Sequence, residues 1–464
     1  MVIRLTKAHP LAYRLARTAL TVGGALLASW GGAPSLARGQ AMDGFGMGSR
    51  AAALAGAVSA DVEDWSAHYY NPAGVARAGR LRLGLGWFGV LFDMHVDDAS
   101  SPLDPVRGAV FGFVLPVCVG TVPLAVGLGA HLPDARISRS RALPRQRPRW
   151  EMYDNRPHRA YLAAHVAVEP VDDVRLGVGL GFLSTSRTSL DLRGRLDALN
   201  PSASRLEHAV TGDLGAVRYP QAGLQWDASR HLSLGVVYRH EYALDTSLLA
   251  RARASITGVG EPIPGSLDLR TASVNAFVPR QLSVGVAFRP DDRWRIGMEV
   301  TWIDWSSYRS SIGSTDARLE IAVPPELRDL IRVPDEIPST RPIPAGFRDR
   351  WVPRAGVEHV VATGGTWSLT ARGGYLFEST PVPDQRGFSN LLDNDRHLFC
   401  AGLGLRTQAL RPTIPGWTAI DFHVQMGFVP ERVTRKDSLV DRVGDHRFGG
   451  RMLAGGLTAE VVFE

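Results

Sequence analysis

From Leu81 to the end of the chain, apolar and polar residues alternate with a period of two, the pattern of strands whose faces meet different surroundings. Between 293 and 305, Trp294, Ile296, Met298, Val300 and Trp302 share one face, and Arg295, Gly297, Glu299 and Thr301 share the other. The same rhythm runs through Leu232, Leu234, Val236 and Tyr238, through Ile420, Phe422, Val424, Met426 and Phe428, and through Leu453, Gly455, Leu457, Ala459 and Val461. One face suits lipid and the other water. The spacing predicts fourteen strands, beginning near Leu81, Gly108, Leu124, Arg159, Val174, Val217, Leu232, Arg280, Trp294, Trp351, Trp367, His397, Trp417 and Gly449.

The connections carry a second signal. Short ones, such as 120–123, 169–173, 227–231, 289–293 and 361–366, alternate with long ones at 93–107, 134–158, 190–216, 244–279, 308–350, 378–396 and 429–448. Even strand counts with short periplasmic turns and long extracellular loops characterise single-chain bacterial outer-membrane barrels. A soluble β-sandwich has no reason to keep that asymmetry. The expected fold is all-β: a 14-stranded antiparallel transmembrane β-barrel over 81–464, with both ends of the mature chain on the periplasmic side.

The stretch before the strands reads differently. Residues 38–80 hold the Ala- and Gly-rich run AMDGFGMGSRAAALAGAVSADVEDWSAHYYNPAG, which is partly helical by composition and is stopped by Pro72, since the residue before a proline is pushed out of the α region. Its small residues suit close packing inside a lumen. Asn71 can hydrogen-bond nearby backbone and Pro72 fixes φ, so Asn71, Pro72, Ala73 and Gly74 form either a turn or a fixed element of a short, partly helical N-terminal plug. Asp61, Glu63 and Asp64 are expected to pair with lumen arginines such as Arg354 or Arg372. Ahead of this, 1–37 reads as a signal peptide: Arg4, Lys7, Arg14 and Arg17 precede a short apolar run, and Ser35-Leu36-Ala37 offers small residues for cleavage.

Composition adds exclusions. The formal net charge is +6, and removing a leader with four cations and no acid leaves +2, so charge gives no support to nucleic-acid binding. The two cysteines, Cys118 and Cys400, are read as small apolar fillers rather than a disulfide framework. The histidines show no metal-ligand spacing, and no nucleophile motif accompanies Asp421, His423 and Glu460, so neither a metal, a cofactor nor catalysis is expected.

Two long loops carry candidate binding chemistry. The segment 134–151 contains Arg136, Arg139, Arg141, Arg145, Arg147 and Arg149. These would meet lipopolysaccharide phosphate or another anion, or form a solvated basic loop. In PELRDLIRVP, Leu327, Leu330 and Ile331 have helical spacing, which suits either a capture groove or packing of the loop on itself.

Four stretches also resemble the FadL/TodX family of outer-membrane long-chain fatty acid and hydrocarbon transporters. They are GMGSRAAALAGAVSADVEDWSAHYYNPAG, VPRQLSVGVAFRPDDRWRIGMEVTWIDWSSY, FRDRWVPRAGVEHV with LTARGGYLFESTPVPDQ, and DNDRHLFCAGLGLR. They fall in the family's order. The penultimate position of Phe463 departs from the terminal aromatic common in such barrels. The resemblance implies passive uptake of a hydrophobic small-molecule ligand by a monomer, through a plugged lumen and a lateral exit to the membrane. A barrel that docks other proteins, as an outer-membrane scaffold or secretion partner, is the alternative.

Overall fold

In a computed structural model the chain closes into a barrel of fourteen antiparallel strands. The structure describes residues 42–119, 122–135, 147–154, 160–197, 199–257, 262–309, 314–322, 325, 337–340, 344–385, 389–411, 413–436 and 445–463. The segment read as a signal peptide lies outside them.

In chain order the strands are β1 Arg82–Val96, β2 Val106–Val119, β3 Val122–Pro133, β4 Tyr161–Val171, β5 Val174–Asp197, β6 Arg205–Ser229 and β7 Leu232–Arg239. There follow β8 Tyr242–Thr257, β9 Ile263–Val278, β10 Gln281–Phe288, β11 Trp294–Ile303 and β12 Ser314–Ile321. The last are β13 Arg350–Gly364, β14 Trp367–Glu378, β15 Arg396–Thr407, β16 Gly416–Thr434 and β17 His446–Phe463. All but β8, β9 and β12 build the wall, each pairing with the wall strand before it. The last closes on the first through an unbroken register from Arg82↔Val462 to Val96↔Phe448. Closure leaves the wall no free edge within the membrane, where an unpaired backbone group would be costly.

The exposure pattern is that of a membrane barrel. Along β11, Trp294, Met298 and Val300 face outward and are exposed, whereas Arg295, Glu299 and Thr301 point inward and are buried. Outward apolar side chains such as Leu85, Val178, Phe399, Phe422 and Leu457 form an exposed band, while Arg295, Glu299, Gln225 and Gln425 are buried inside. Among the described residues no helix is long and apolar enough to cross a membrane. Trp302 and Trp351 are cross-strand partners near one rim, and Trp226, Trp294 and Trp367 lie near the other. That distribution suits aromatic girdles at the two headgroup levels.

This facing gives a direct test. Val300 lies within β11 between two outward tryptophans, so Val300→Arg places a cation on the lipid face at a cost of about 2–4 kcal/mol near the midplane. Thr301→Arg points into the lumen and is expected to leave membrane insertion nearly intact. Refolding titrations into lipid vesicles compare the two, and equal losses would reverse the facing.

Three predicted loops contain strands, and the one expected at 308–350 holds β12. The loop expected at 190–216 is the upper part of a long hairpin, with β5 and β6 paired from Val174↔Trp226 up to Arg195↔Arg205. The loop expected at 244–279 holds β8 and β9. β8 pairs in parallel with the upper half of β5 from Thr246↔Ser186 to Thr257↔Asp197, and β9 and β12 extend the sheet beyond the rim.

Candidate functional site

The N-terminal segment runs down the barrel axis from Met42 to Gly79. Four short helical stretches, Met42–Phe45, Ser49–Ala53, Ala67–Tyr70 and Gly74–Arg77, are joined by tight turns. Gly46, Gly48 and Gly56 take positive φ there, as does Ala55. Nearly every residue from Met47 to Val75 is buried, although the segment has little core of its own. Its partner is the inner wall. Phe45 lies beside Phe92 and under the guanidinium of Arg396, near the upper rim, and Arg77 reaches Asp227 near the lower one.

Close approach rests on a girdle of inward-facing glycines. Gly84, Gly112 and Gly129 are successive cross-strand partners, as are Gly177 with Gly223, Gly235 with Gly285, and Gly297 with Gly356 and Gly374. A Cβ at Gly129 would sit 1.6 Å from the His68 ring, at Gly84 2.2 Å from Trp65, at Gly223 2.0 Å from the Asn71 amide oxygen, and at Gly356 2.7 Å from the Leu54 carbonyl. Each of these positions therefore requires glycine for the segment to seat. The girdle escaped sequence reasoning, although its signal was there: glycines recur on the inward parity of strand after strand.

Polar contacts lock the seat. Asn71 is fully buried. Its Nδ2 donates to the Ser59 carbonyl at 2.8 Å and to the Leu224 carbonyl on β6 at 2.9 Å, and its Oδ1 accepts from Ala73 N–H at 3.0 Å. Pro72 and Ala73 lie against Gly177, and Gly74 is pressed on the Val62 carbonyl, where a Cβ would come within 2.3 Å. Wall side chains complete the unpaired backbone of the segment. Gln225 donates to the carbonyls of Ser59 and Val62, Gln425 to that of Ala52, and Glu299 and Glu460 accept from the N–H groups of Ser59 and Trp65. An irregular segment inside a barrel depends on such partners, since a buried unpaired polar group is expensive.

The three acids divide their roles. Asp61 lies between Arg295 and Arg289, each at 2.5 Å. Burial alone would raise its pKa, but the two guanidiniums outweigh it and hold the carboxyl below its ordinary value. Asp64 pairs inside the segment with Arg50 at 3.2 Å, and Arg50 reaches the wall at Glu358, 3.1 Å away. Glu63 is half exposed and meets Arg77 and Arg82. The partners expected from the sequence are engaged elsewhere: Arg354 pairs with Glu299, and Arg372 with Glu358 and Asp421.

Above and below the segment the lumen differs. Below it, a cavity of about 240 Å³ is lined by Arg50, Glu63, Asp64, Arg82, Glu358 and Glu460. Above it, among the described residues, a cavity of about 40 Å³ lies between Phe45, Tyr70, Leu376 and Leu398, flanked by Arg350 and Arg354. That volume suits one or two waters, far below the several hundred Å³ of an ordinary ligand pocket.

Over this closed space the long loops gather aromatic and aliphatic side chains. Trp150 meets Phe448 edge-on at 5.5 Å, Phe92 meets Tyr153 at 6.0 Å, and Tyr308 stacks on Phe347 at 4.1 Å. A short parallel pairing of Leu391–Leu392 with Arg149–Trp150 ties two of the loops together. These aromatics were missed in the sequence because they are single residues drawn from loops and from the upper ends of β1 and β17. Leu327, Leu330 and Ile331, read there as a capture groove, lie outside the described residues, as do Arg136, Arg139, Arg141 and Arg145. Arg147 is exposed. Arg149, expected to face outward, is instead buried and pairs with Glu151 at 3.2 Å, because the parallel pairing turns it under the loops.

The wall itself is continuous at Pro116, Gly127 and Gly129, where a proline and small residues leave the backbone of neighbouring strands weakest. Pro116 pairs with Ala125, and Gly127 and Gly129 keep register with Val114 and Gly112. Gly127 and Gly129 serve the seat rather than a gap, since Val75 and His68 fill the space beside them.

The fold matches known structures. A Pseudomonas aeruginosa FadL homologue superposes with a TM-score of 0.53 at 18% identity, covering 93% of this chain and 100% of that one. The P. putida toluene transporter TodX gives 0.52 at 16%, covering 90% and 99%, and the Ralstonia pickettii toluene transporter TbuX gives 0.51 at 14%, covering 90% and 99%. At such identities the likeness speaks for the fold alone. No curated protein matches the chain in sequence. The family evidence comes from residues 163–415, which match the sequence model of the outer membrane protein transport proteins (OMPP1/FadL/TodX). Spanning more than half of the chain and lying on a closed outer-membrane barrel, that match makes this protein a member of the OMPP1/FadL/TodX family of outer-membrane transport proteins.

Proposed function

We propose that the protein takes up hydrophobic small molecules, long-chain fatty acids or hydrocarbons, passively across the outer membrane, with residues 38–80 acting as its plug. The observation that carries this reading is the aromatic gathering of Trp150, Tyr153, Phe347 and Phe448 directly over a lumen that the N-terminal segment closes. These rings are buried against one another, so the loops must part before an apolar solute can partition among them from the polar layer outside. The 40 Å³ left beneath them then requires the segment or the loops to move before cargo can descend.

The charged lower cavity argues for a sideways exit. A solute leaving downward would have to displace water from Arg50, Asp64, Arg82 and Glu358 with nothing to replace their hydrogen bonds. Departure between wall strands, once the plug shifts, keeps the cargo in apolar surroundings. The exposed Arg147, with the arginines that precede it, is read as meeting lipopolysaccharide phosphate. A docking role is less well supported, because the family whose sequence model the chain matches is one of transport proteins.

Mass spectrometry of molecules that co-purify with the barrel tests the proposal, and a hydrophobic compound near stoichiometric amount is expected. Trp150→Ala removes one edge-on ring contact, worth about 0.5–1.5 kcal/mol, and should lower retention by a factor of about 2 to 13. Barrels that purify empty, with retention of added long-chain fatty acid or toluene unchanged by Trp150→Ala, would refute it.

A further inference from the structure

Beyond the rim, β6, β5, β8, β9 and β12 form a sheet whose two faces differ sharply. The face continuous with the lumen carries charge, as in the row Asp191, Arg251, Asp268 and Arg318. The face continuous with the outer wall carries none. Its central rows are Val210, Leu190, Ala250, Leu269 and Ala317, then His208, Leu192, Ala252, Leu267 and Leu319.

None of these residues belongs to the buried apolar core, and at the edges Leu206, Val210 and Ile321 are 72%, 62% and 39% exposed. A row with threonine at three of its five positions, Thr188, Thr271 and Thr315 beside Gly212 and Leu248, separates the face from the lipid band beneath it. Membrane lipid therefore does not explain its chemistry.

We infer that this outward apolar face is an interface between two copies of the chain, standing side by side in the membrane. Five strands at about 4.8 Å spacing and about seven residues at 3.3 Å rise give roughly 550 Å² per copy. Two copies then bury roughly 1,100 Å², just above the 1,000 Å² or so that a specific interface requires. A second copy also presents its own face at the same height above the same membrane. Two chains inserted the same way up can meet through a two-fold axis along the membrane normal, each offering the other the same patch. Leucines on β5 and β9 flank alanines on β8, which gives the relief that face-to-face sheets interdigitate. The expectation of a monomer from sequence rested on family resemblance and did not include this sheet, because its strands had been read as loops.

Native mass spectrometry of the full chain in mild detergent should show a dimer, and Ala252→Arg, at the centre of the face, should convert at least nine-tenths of it to monomer. Ser247→Arg, on the charged face of the same strand, should leave the dimer intact. Heat-modifiable gel mobility reports whether each variant is a folded barrel. In intact outer membranes, Ala252→Cys should cross-link to a dimer with a short bis-maleimide, and Ser247→Cys should not. A wild-type monomer with no cross-link at position 252 overturns the inference, as does a dimer indifferent to Ala252→Arg, or a cross-link from position 252 to a different protein.

Discussion

Deleting Met42 to Gly74 is expected to leave a folded, inserted barrel whose single-channel conductance in planar bilayers is raised at least tenfold. The wall does not need the segment to form. Its ladders run strand to strand and close through β1 and β17, without a backbone pairing to residues 42–80. Removing the segment uncovers Arg295, Glu299, Arg354, Glu358, Arg372 and Asp421, a lining that water hydrates readily. Most of these also keep a wall partner, as in Arg354–Glu299 and Arg372–Asp421. The exposed lumen then becomes an aqueous path where the segment of the full chain separates cavities of about 640 and 240 Å³ below it from one of about 40 Å³ above it. Conductance equal to that of the full chain would refute the plug role. A chain that no longer inserts would show that the wall depends on the segment.

How far the sequence revealed this arrangement follows from which forces leave a periodic trace. A lipid-facing wall must alternate, so strand positions were legible, and most predicted starts fall within three residues of those observed. β6 is the exception. It begins at Arg205 rather than near Val217, because Arg205 to Asp213 is mixed in polarity and carries no lipid-facing band. β8, β9 and β12 do alternate, as in Ala250-Arg251-Ala252-Arg253 and Leu267-Asp268-Leu269-Arg270, but they fell within stretches read as long loops because they add no strand to the wall and stand above the membrane. The site was half legible. Asn71, Pro72 and Asp61 could be singled out as residues able to fix a segment, but not their partners, since Arg295 and Leu224 are brought to them only by barrel closure. The aromatic roof of Trp150, Phe347 and Phe448 was not legible at all, because it is assembled from single residues of two loops and the upper end of β17.

The second large effect is expected at Asp61. Its side chain is fully excluded from solvent and bridges Arg295, itself only 5% exposed, and Arg289. Asp61→Asn keeps the shape and removes the charge, leaving Arg295 buried beneath the segment without its counter-ion. Removing one member of a buried pair typically costs about 3–5 kcal/mol. Because Arg295 belongs to the wall and Asp61 to the segment, that cost falls on the seat, and conductance should approach that of the deletion while the barrel stays folded.

The pH dependence has a definite sign. The seated Asp61 carboxyl has a pKa lowered from its free value near 3.9, so its contribution is fully present above about pH 4. It is lost as pH falls through the lower, seated value. Wild-type channels should therefore stay closed down to about pH 4 and open only below it. Asp61→Asn channels should be open at neutral pH and lack the acid step governed by this carboxyl. Conductance recorded across pH 7 to 2 separates the cases. Closed Asp61→Asn channels at neutral pH would show that the glycine girdle and the Asn71 hydrogen bonds hold the segment without this ion pair.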